Sequence, residues 1–300
     1  MARILARVAP WLPLAKSPAD PVGPWSYAAL DHSDTETLWE LVRRDPVANV
    51  FLAAHLEATG TAASSMSGGQ IVGMYRDGGL AAACWAGVNL VPVGVTAETG
   101  PGLGGHLGRT GRKFSSIFGP AEGVLAVWSS LAVYADEPFD VRPTQPLLQI
   151  TGDPLVEPRE GLRHTAADQL DVLLPACVAM FEEEVGYSPY LGGSDHYRRR
   201  VAALVRQRHS LAVFGDDGEV IFKAELGTVS ADVVQVQGVW MNPQFRGRGL
   251  SAGYLAAVVL EAQRLAPTVS LYVNAYNERA LAAYRRVGFT EAGTFATVLL

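Results

Sequence analysis

The stretch from Val239 to Ala252, VWMNPQFRGRGLSA, constrains the fold of this chain more than any other. Its pattern is that of a strand end, a short loop and the first turn of a helix. Gly247 and Gly249 have no Cβ, so the backbone at these positions can come close to a ligand. Unpaired amides at a helix N-terminus, together with the helix dipole, bind phosphate or pyrophosphate groups well. The stretch therefore predicts a ligand that carries phosphate.

Two common phosphate-binding motifs do not fit this stretch. A P-loop needs Lys-Ser or Lys-Thr after the glycines, and neither pair follows them here. A dinucleotide-binding fold needs GxGxxG and an acidic residue about 20 positions further on, and both are missing here. The ligand is thus expected to be a phosphate compound of a third kind.

The loop matches the signature of a known family. With the later segment described below, RGRGLS resembles the GNAT superfamily of acyl-CoA N-acyltransferases, whose signature is Arg/Gln-x-x-Gly-x-Gly/Ala. The signature falls on Arg246, Gly249 and Ser251. Ser251 departs from the usual Gly or Ala, but it is also small, so the departure does not disturb the match.

The second segment of the resemblance is LYVNAYNERALAAYRRVGF, from Leu271 to Phe289. The family places an Asn at the start of a helix, a Tyr seven residues on, and then Gly-Phe. These residues are Asn277, Tyr284 and the pair Gly288 and Phe289. Two motifs in the right order and spacing make the resemblance specific, and it covers residues 162–300.

The resemblance implies a site for acetyl-CoA. The amides of the glycine loop would hold the pyrophosphate, and the backbone of a splayed strand would bind the pantetheine arm. Asn277 would bond the pantetheine amides, and it also has the position of a helix N-cap. The implied coenzyme-binding residues are Val239, Trp240, Met241, Arg246, Gly247, Arg248, Gly249, Leu250, Ser251, Ala252, Asn277 and Tyr284.

The catalytic acid implied by the resemblance is Tyr284. Its hydroxyl would protonate the departing thiolate, a role that typically contributes roughly 10²- to 10⁴-fold in rate. Tyr284 follows Asn277 by seven residues, so both lie on one face of a helix. The other interpretation is an aromatic core residue beside Ala280 and Val287.

A catalytic base is harder to assign from the sequence. Some members of the family carry a Glu where this chain has Tyr272, and Gln235 and Gln237 cannot accept a proton. Glu225, on the strand before them, is the nearest carboxylate by topology and is our candidate base. The run Glu182–Glu184 either attracts a cationic amine or forms a solvated helix face.

The order of predicted elements repeats, which indicates a mixed α/β fold with two GNAT-like domains in tandem. Each domain is expected to be a mostly antiparallel twisted sheet flanked by helices. The first copy is degenerate, because its glycine-rich stretch at 99–111 lacks the signature, and the whole resembles two-domain actinobacterial acetyltransferases. The predicted ranges are an extension at 1–25, the degenerate domain at 26–151, a linker at 152–161 and the N-acetyltransferase domain at 162–300.

Composition excludes several classes of protein. A net charge of −6, from 24 basic and 30 acidic residues, argues against a general nucleic-acid binder. No apolar run approaches the roughly 20 residues of a membrane helix. Cys84 and Cys177 show no disulfide framework and fit a reducing cytoplasm as buried residues. The histidines have no metal-ligand spacing, so we expect acetyl-CoA and no metal. No nucleic-acid or membrane partner is expected, and a homodimer is left open.

These patterns predict an acetyl-CoA-dependent N-acetyltransferase in which an amine attacks the thioester directly. The acceptor would be a small-molecule or peptide amine. Two alternatives stay open. Without an assigned base, the chain could be a non-catalytic acyl-CoA-binding or sensor protein. Within the enzymes, it could be a tandem acyltransferase resembling mycothiol synthase.

Overall fold

The computed structural model describes residues 24–64, 68–191 and 194–300, the side chain of Ser194 excepted. Residues 1–23 of the predicted N-terminal extension lie outside the described part. The chain divides into two compact units. Unit 1 runs to Leu147 and also contains Ala292–Leu300, and unit 2 is Leu148–Glu291. No helix in the described ranges is long and apolar enough to cross a membrane.

The elements follow one another as strands and helices of ordinary length. The strands are Ser26–Ala29 (β1), Gln70–Arg76 (β2), Gly79–Ala86 (β3), Asn89–Val93 (β4), Ser116–Pro120 (β5), Asp140–Ile150 (β6), Arg163–His164 (β7), Ser210–Phe214 (β8), Val220–Val229 (β9), Val233–Met241 (β10), Thr268–Tyr272 (β11) and Thr290–Leu299 (β12). The α-helices are Thr35–Val42 (α1), Val50–Thr59 (α2), Gly100–Arg109 (α3), Ala121–Leu131 (α4), Leu170–Val185 (α5), Ser194–Arg206 (α6), Ser251–Gln263 (α7) and Glu278–Val287 (α8).

The sheet of unit 1 has the strand order β1-β2-β3-β4-β5-β12-β6. Antiparallel pairs join β1 to β2, β2 to β3 and β3 to β4, whereas β4 and β5 are parallel. The end of the chain completes this sheet, because β12 pairs antiparallel with β5 from Phe295↔Pro120 to Leu299↔Ser116. Ala296 and Val298 are buried in the core of unit 1 as a result.

Helix α3 is rich in glycine because it packs very closely on α4. A Cβ built on Gly100 would lie 2.3 Å from the Cβ of Ala126, and one on Gly104 would lie 2.1 Å from the carbonyl oxygen of Val127. Real Cβ atoms do not come so close, so only glycine fits at these turns of the helix. The glycines that weaken the helix by propensity are thus what allow the two helices to touch.

The sheet of unit 2 has the order β11-β10-β9-β8-β7, with β10 and β11 parallel and the other pairs antiparallel. Alternation along β9 separates two faces. Phe222 and Ala224 enter the main core cluster with residues of α7 and α8. Lys223 and Glu225 point to the opposite face, where Cys177 of α5 lies within 3.9 Å of the Glu225 carboxylate.

The repeated order of elements confirms the mixed α/β fold with two GNAT-like halves. Each half has one strand, two helices, three antiparallel strands, then helix, strand and helix. The units differ from the predicted domain ranges at the C-terminus, because pairing with β5 places Ala292–Leu300 in unit 1. Helix α5 continues through Pro175. Only the carbonyl one turn before Pro175 loses its helical partner.

Candidate functional site

The centre of the candidate site is a gap between β10 and β11. The two strands pair in parallel only from Val233↔Thr268 to Gln235↔Ser270, and β10 then continues to Met241. Among the described residues this pairing does not continue past Gln235, although β11 itself runs to Tyr272. From Val236 to Met241 the β11-side edge of β10 is therefore unpaired, and we call the space beside it the gap. Such an edge offers N–H and C=O groups to an extended ligand.

Two polar side chains mark the point at which the strands diverge. Gln235 Nε2 and Ser270 Oγ are buried and have no hydrogen-bond partner among the described residues. Gln235 is 8 % exposed and Ser270 is 0 % exposed. Leaving buried polar groups unpaired costs free energy, so their presence at this point suits a polar ligand or water that pairs them.

The loop after β10 forms an open anion cradle at the start of α7. Gly247 and Gly249 have φ angles of +74° and +72°. A Cβ built on either glycine would meet no atom within 4 Å. No described side chain caps the N-terminus of α7. The first-turn amides of a 13-residue helix therefore lie beside open space, as a pyrophosphate requires.

Arg246 connects this loop to helix α5. Its Nε donates to the Met241 carbonyl at 2.8 Å, and its Nη2 contacts both oxygens of Glu183 at 2.9 and 2.7 Å. Glu183 also accepts a hydrogen bond from the indole N–H of Trp240 at 3.1 Å. Glu183 therefore links the end of β10, the loop and α5. From the sequence, the run Glu182–Glu184 was expected either to attract a cationic amine or to form a solvated helix face.

Asn277 and Tyr284 lie on α8 as the second motif predicts. The Asn277 side-chain oxygen accepts a hydrogen bond from the Ala280 N–H at 3.2 Å, so Asn277 is the N-cap of the helix. Its side-chain amide nitrogen is the group that can donate to a ligand. Tyr284 is 8 % exposed and makes an edge contact with Phe289. Burial raises the pKa of Tyr284, and the Glu184 carboxylate adds to the rise, so the phenol stays neutral.

Glu225, the candidate base, is held in a buried ion pair. Its Oε1 accepts from Lys223 Nζ at 2.8 Å, and its Oε2 accepts from Gln237 Nε2 at 3.3 Å. Burial lowers the pKa of Lys223, but the Glu225 carboxylate outweighs it and the net pKa is raised. Protonating Glu225 would leave the buried ammonium of Lys223 unpaired, which is costly. This pair argues for a structural role of Glu225, and the catalytic role stays a prediction.

The structure brings part of the predicted set together. Tyr284, Met241 and Ala252 belong to one buried cluster, against which Val239 and Leu250 pack. Trp240 is buried in a second cluster, with residues of α5 and α6. Gly247, Gly249 and Arg248 are exposed, Ser251 begins α7, and the guanidinium of Arg248 stacks 5.1 Å from the ring of Phe245.

Lys223 was missed by sequence reasoning. A signal was available, because Lys223 and Glu225 are two residues apart in the otherwise apolar strand VIFKAEL and so point to the same face. Opposite charges at such a spacing in a buried strand predict an ion pair.

The equivalent loop of unit 1 is closed by its own side chains. The Ala97 N–H donates to the Glu122 carboxylate at 2.8 Å, and the Thr96 N–H donates to the Thr99 hydroxyl at 2.8 Å. The Glu122 carboxylate thus accepts the hydrogen bond that a loop amide could otherwise donate to an external anion. This contact gives a physical basis to the interpretation of the first half as a degenerate copy.

Comparisons with known proteins show what a chain with this parallel strand pair and open helix N-terminus is similar to. Residues 177–289 match the model of the Acetyltransferase (GNAT) family. Residues 69–173 match a model described as a domain of unknown function, DUF4081. No curated protein matches the chain.

Solved structures share the fold along nearly the whole chain. A GNAT-family acetyltransferase from Colwellia psychrerythraea is 13% identical, with a TM-score of 0.53, and the alignment covers 92% of this chain and 99% of that one. A GCN5-related N-acetyltransferase from Sphaerobacter thermophilus is 17% identical, with a TM-score of 0.58 and coverage of 93% and 95%. A Drosophila protein is 15% identical, with a TM-score of 0.60 and coverage of 91% and 98%.

At these identities the solved structures establish the fold. The match of residues 177–289 to the GNAT family model adds support for an acyltransferase function of that part of the chain. Members of this family generally bind acetyl-CoA. Within the described ranges, His, Cys, Asp and Glu side chains form no group of three or more that could hold a metal ion.

Proposed function

We propose that this protein is an acetyl-CoA-dependent N-acetyltransferase whose reaction takes place in unit 2. The observation that carries the proposal is the open cradle of Gly247 and Gly249 at the start of α7, next to the gap between β10 and β11. A pyrophosphate and an extended arm are what these two features would bind together. The buried Tyr284 lies in the cluster that lines the same region.

Different residues would bind different parts of the coenzyme. The amides of Gly247 to Ala252 would hold the pyrophosphate, with Arg246 and Arg248 adding positive charge. The edge of β10 from Val239 to Met241 would bond the arm, and Asn277 would donate its side-chain N–H to an amide of the arm. When bound, acetyl-CoA supplies an acetyl group activated as a thioester.

Tyr284 would supply the proton that the sulfur needs when the thioester bond breaks. Its phenol is neutral because burial raises the pKa, so the hydroxyl can donate at any working pH. A thiol leaving in the same buried region also has a raised pKa, since burial disfavours its thiolate. Burial raises both pKa values, so the two shifts offset each other and the transfer from phenol to sulfur stays about as favourable as it is in water.

The acceptor is proposed to be a primary amine of a small molecule or peptide that enters beside the acidic end of α5. Glu182, Glu183 and Glu184 lie there, and the effect of Glu184 on the pKa of Tyr284 indicates that this carboxylate is near the phenol. A negative field favours the approach of a protonated amine. The amine must lose its proton before attack, because an ammonium has no lone pair.

The test begins with acetyl-CoA binding measured by titration calorimetry. Gly249→Ala places a side chain at φ +72° in the cradle, and we expect the Kd to rise at least about tenfold (about 1.4 kcal/mol). Gly78→Ala is the matched control, because Gly78 has φ +79° and equally open space in the turn between β2 and β3 of unit 1. The control should keep the Kd of the wild type.

Turnover is then measured as release of free thiol from acetyl-CoA with a panel of amines, peptide N-termini and amino sugars. Thiol release that depends on an amine supports transfer. Binding without release for every amine would instead favour the sensor alternative, and no binding at all would overturn the proposal.

A further inference from the structure

Lys223 is an unusual residue for the middle of a strand, because its side chain is 0 % exposed. Lysine is almost never fully buried unless it is paired. Here the ammonium has two partners, Glu225 Oε1 at 2.8 Å and the backbone carbonyl oxygen of Gly238 at 2.9 Å. The first contact balances the charge, whereas the second fixes a backbone group of β10.

Gly238 lies in an irregular part of β10. The register with β9 passes from Gln237↔Glu225 to Trp240↔Lys223, so Gly238 and Val239 together form a bulge in the strand. Gly238 has a φ of +58°, and a Cβ on it would lie 3.1 Å from both Lys223 Nζ and Glu225 Oε2. Glycine is therefore needed there for its backbone angle and for the space that the ion pair fills.

The carbonyl held by Lys223 determines where the next N–H points. The Gly238–Val239 peptide is trans, so its C=O and N–H point in opposite directions. The carbonyl oxygen faces Lys223 on β9, which lies along one edge of β10. The edge itself follows from alternation along β10. The Asn242 N–H donates to the Ile221 carbonyl of β9 at 2.9 Å and Trp240 pairs with Lys223, so the N–H of Val239 faces away from β9, toward the gap on the other edge.

We propose that Lys223 is a positioning residue for acyl transfer, which holds the Gly238 carbonyl so that the Val239 N–H donates to the acyl carbonyl oxygen in the gap. The inference rests on the proposed function, because it requires the thioester to bind between β10 and β11. The charge of Lys223 adds a second effect. An ammonium bonded to a peptide oxygen polarises that peptide and makes its N–H a stronger donor.

In other enzymes, removing one hydrogen-bond donor to the developing oxyanion lowers kcat about 10²- to 10³-fold. Lys223 acts through Val239, so a smaller loss is expected. Lys223→Met should lower kcat at least about tenfold, while the Kd for acetyl-CoA stays within about threefold. The Kd is spared because the pyrophosphate and the arm contact other residues.

Lys223→Met alone leaves the Glu225 carboxylate buried without its cation and can destabilise the fold. The matched comparison is therefore the double variant Lys223→Met with Glu225→Gln, which buries no charge, against Glu225→Gln alone, which keeps the Lys223 ammonium on the Gly238 carbonyl without its carboxylate. Glu261→Gln is the control, since it removes the ion pair of Glu261 with His164, another pair of unit 2. The control should keep the kcat of the wild type.

The infrared stretching frequency of the acyl carbonyl of bound [1-¹³C]acetyl-CoA distinguishes positioning from a purely structural role. Loss of stability alone would not change this frequency. A donor on the carbonyl oxygen lowers its stretching frequency. We expect the bound wild type and Glu225→Gln to show the lowered band, and the double variant to show a band close to that of free acetyl-CoA.

A double variant with the kcat and the band of Glu225→Gln would overturn the role of Lys223. Failure of the proposed function has a different signature, since the wild type would then bind no acetyl-CoA. A lowered band in the wild type with no amine transfer would keep the role of Lys223 in orienting the acyl group and would reject only the transferase reaction.

Discussion

At the residue scale, the burial of Tyr284 bears directly on its proposed chemical role. It is at once an aromatic core residue, in contact with Phe289, and the candidate acid. The sequence presented these two interpretations as alternatives. The structure makes them compatible, because the burial that packs the ring also raises the pKa of Tyr284 and keeps its proton in place.

Tyr284→Phe should lower kcat by about 10²-fold, in the range of general acid catalysis, and change the Kd for acetyl-CoA by less than about threefold. The control is Tyr254→Phe, because Tyr254 is equally buried in the same cluster and packs on Phe222. An unchanged kcat for Tyr284→Phe, with the acyl transfer step rate-limiting, would remove Tyr284 from the mechanism.

The pH dependence follows from the direction of the shift. Since the pKa of Tyr284 is raised above 10.0, the phenol is protonated throughout the range below that value. The acceptor amine loses its proton as the pH rises, so kcat/KM should rise with pH and show no decline before about pH 10. A profile that declines between pH 7 and 9, with the decline absent from Tyr284→Phe, would contradict this assignment.

At the element scale, α3 shows how packing overrides helix propensity. A glycine-rich stretch predicts a loop when propensity alone is considered, yet residues 100–109 form a helix. The helix persists because Gly100 and Gly104 let it approach the backbone of α4. Close packing replaces the stability that glycine takes away.

Close packing of α3 on α4 predicts opposite effects at neighbouring glycines. Gly104→Ala should destabilise the protein by about 1–3 kcal/mol, because its Cβ would overlap the carbonyl of Val127. Gly105→Ala should be neutral or stabilising by up to about 1 kcal/mol, since its nearest neighbour is Arg109 Nη1 at 3.5 Å. Urea unfolding monitored by circular dichroism measures both. Equal losses at the two positions would show that helix propensity, and not contact with α4, decides the effect.

At the scale of the whole molecule, the end of the chain belongs to the sheet of the first unit. Ala296 is fully buried in that core, whereas Ala292 in the same strand is exposed. Ala296→Asp should cost about 2 kcal/mol or more, because it buries a charge without a partner, and Ala292→Asp should cost little.

Hydrogen exchange tests where this loss of stability appears. Amides of β5, residues 116–120, should exchange faster in Ala296→Asp than in Ala292→Asp, because β5 is the strand that pairs with β12. Protection of β9 in unit 2 should change less. If β9 lost protection before β5, the assignment of Ala292–Leu300 to unit 1 would be wrong.

The sequence alone determined the parts of this protein that depend on neighbouring residues. Gly247 and Gly249 predicted an open loop because positive φ angles favour glycine, and Asn277 predicted a helix start because its side chain caps that helix. The order of strands and helices was also readable, because amphipathic patterns repeat within each element. These local signals were enough to predict the fold class and the open loop before α7.

Tertiary structure decided what depends on residues far apart in the chain. The ammonium of Lys223 bonds the Glu225 carboxylate and also the carbonyl of Gly238, which is 15 residues from Lys223. Glu183 was one of three acidic neighbours until Arg246 and Trp240 reached it from β10 and its loop. The last strand joined β5, more than a hundred residues earlier in the chain. No pattern in a single segment contains such contacts, because burial and charge pairing are properties of the assembled sheet.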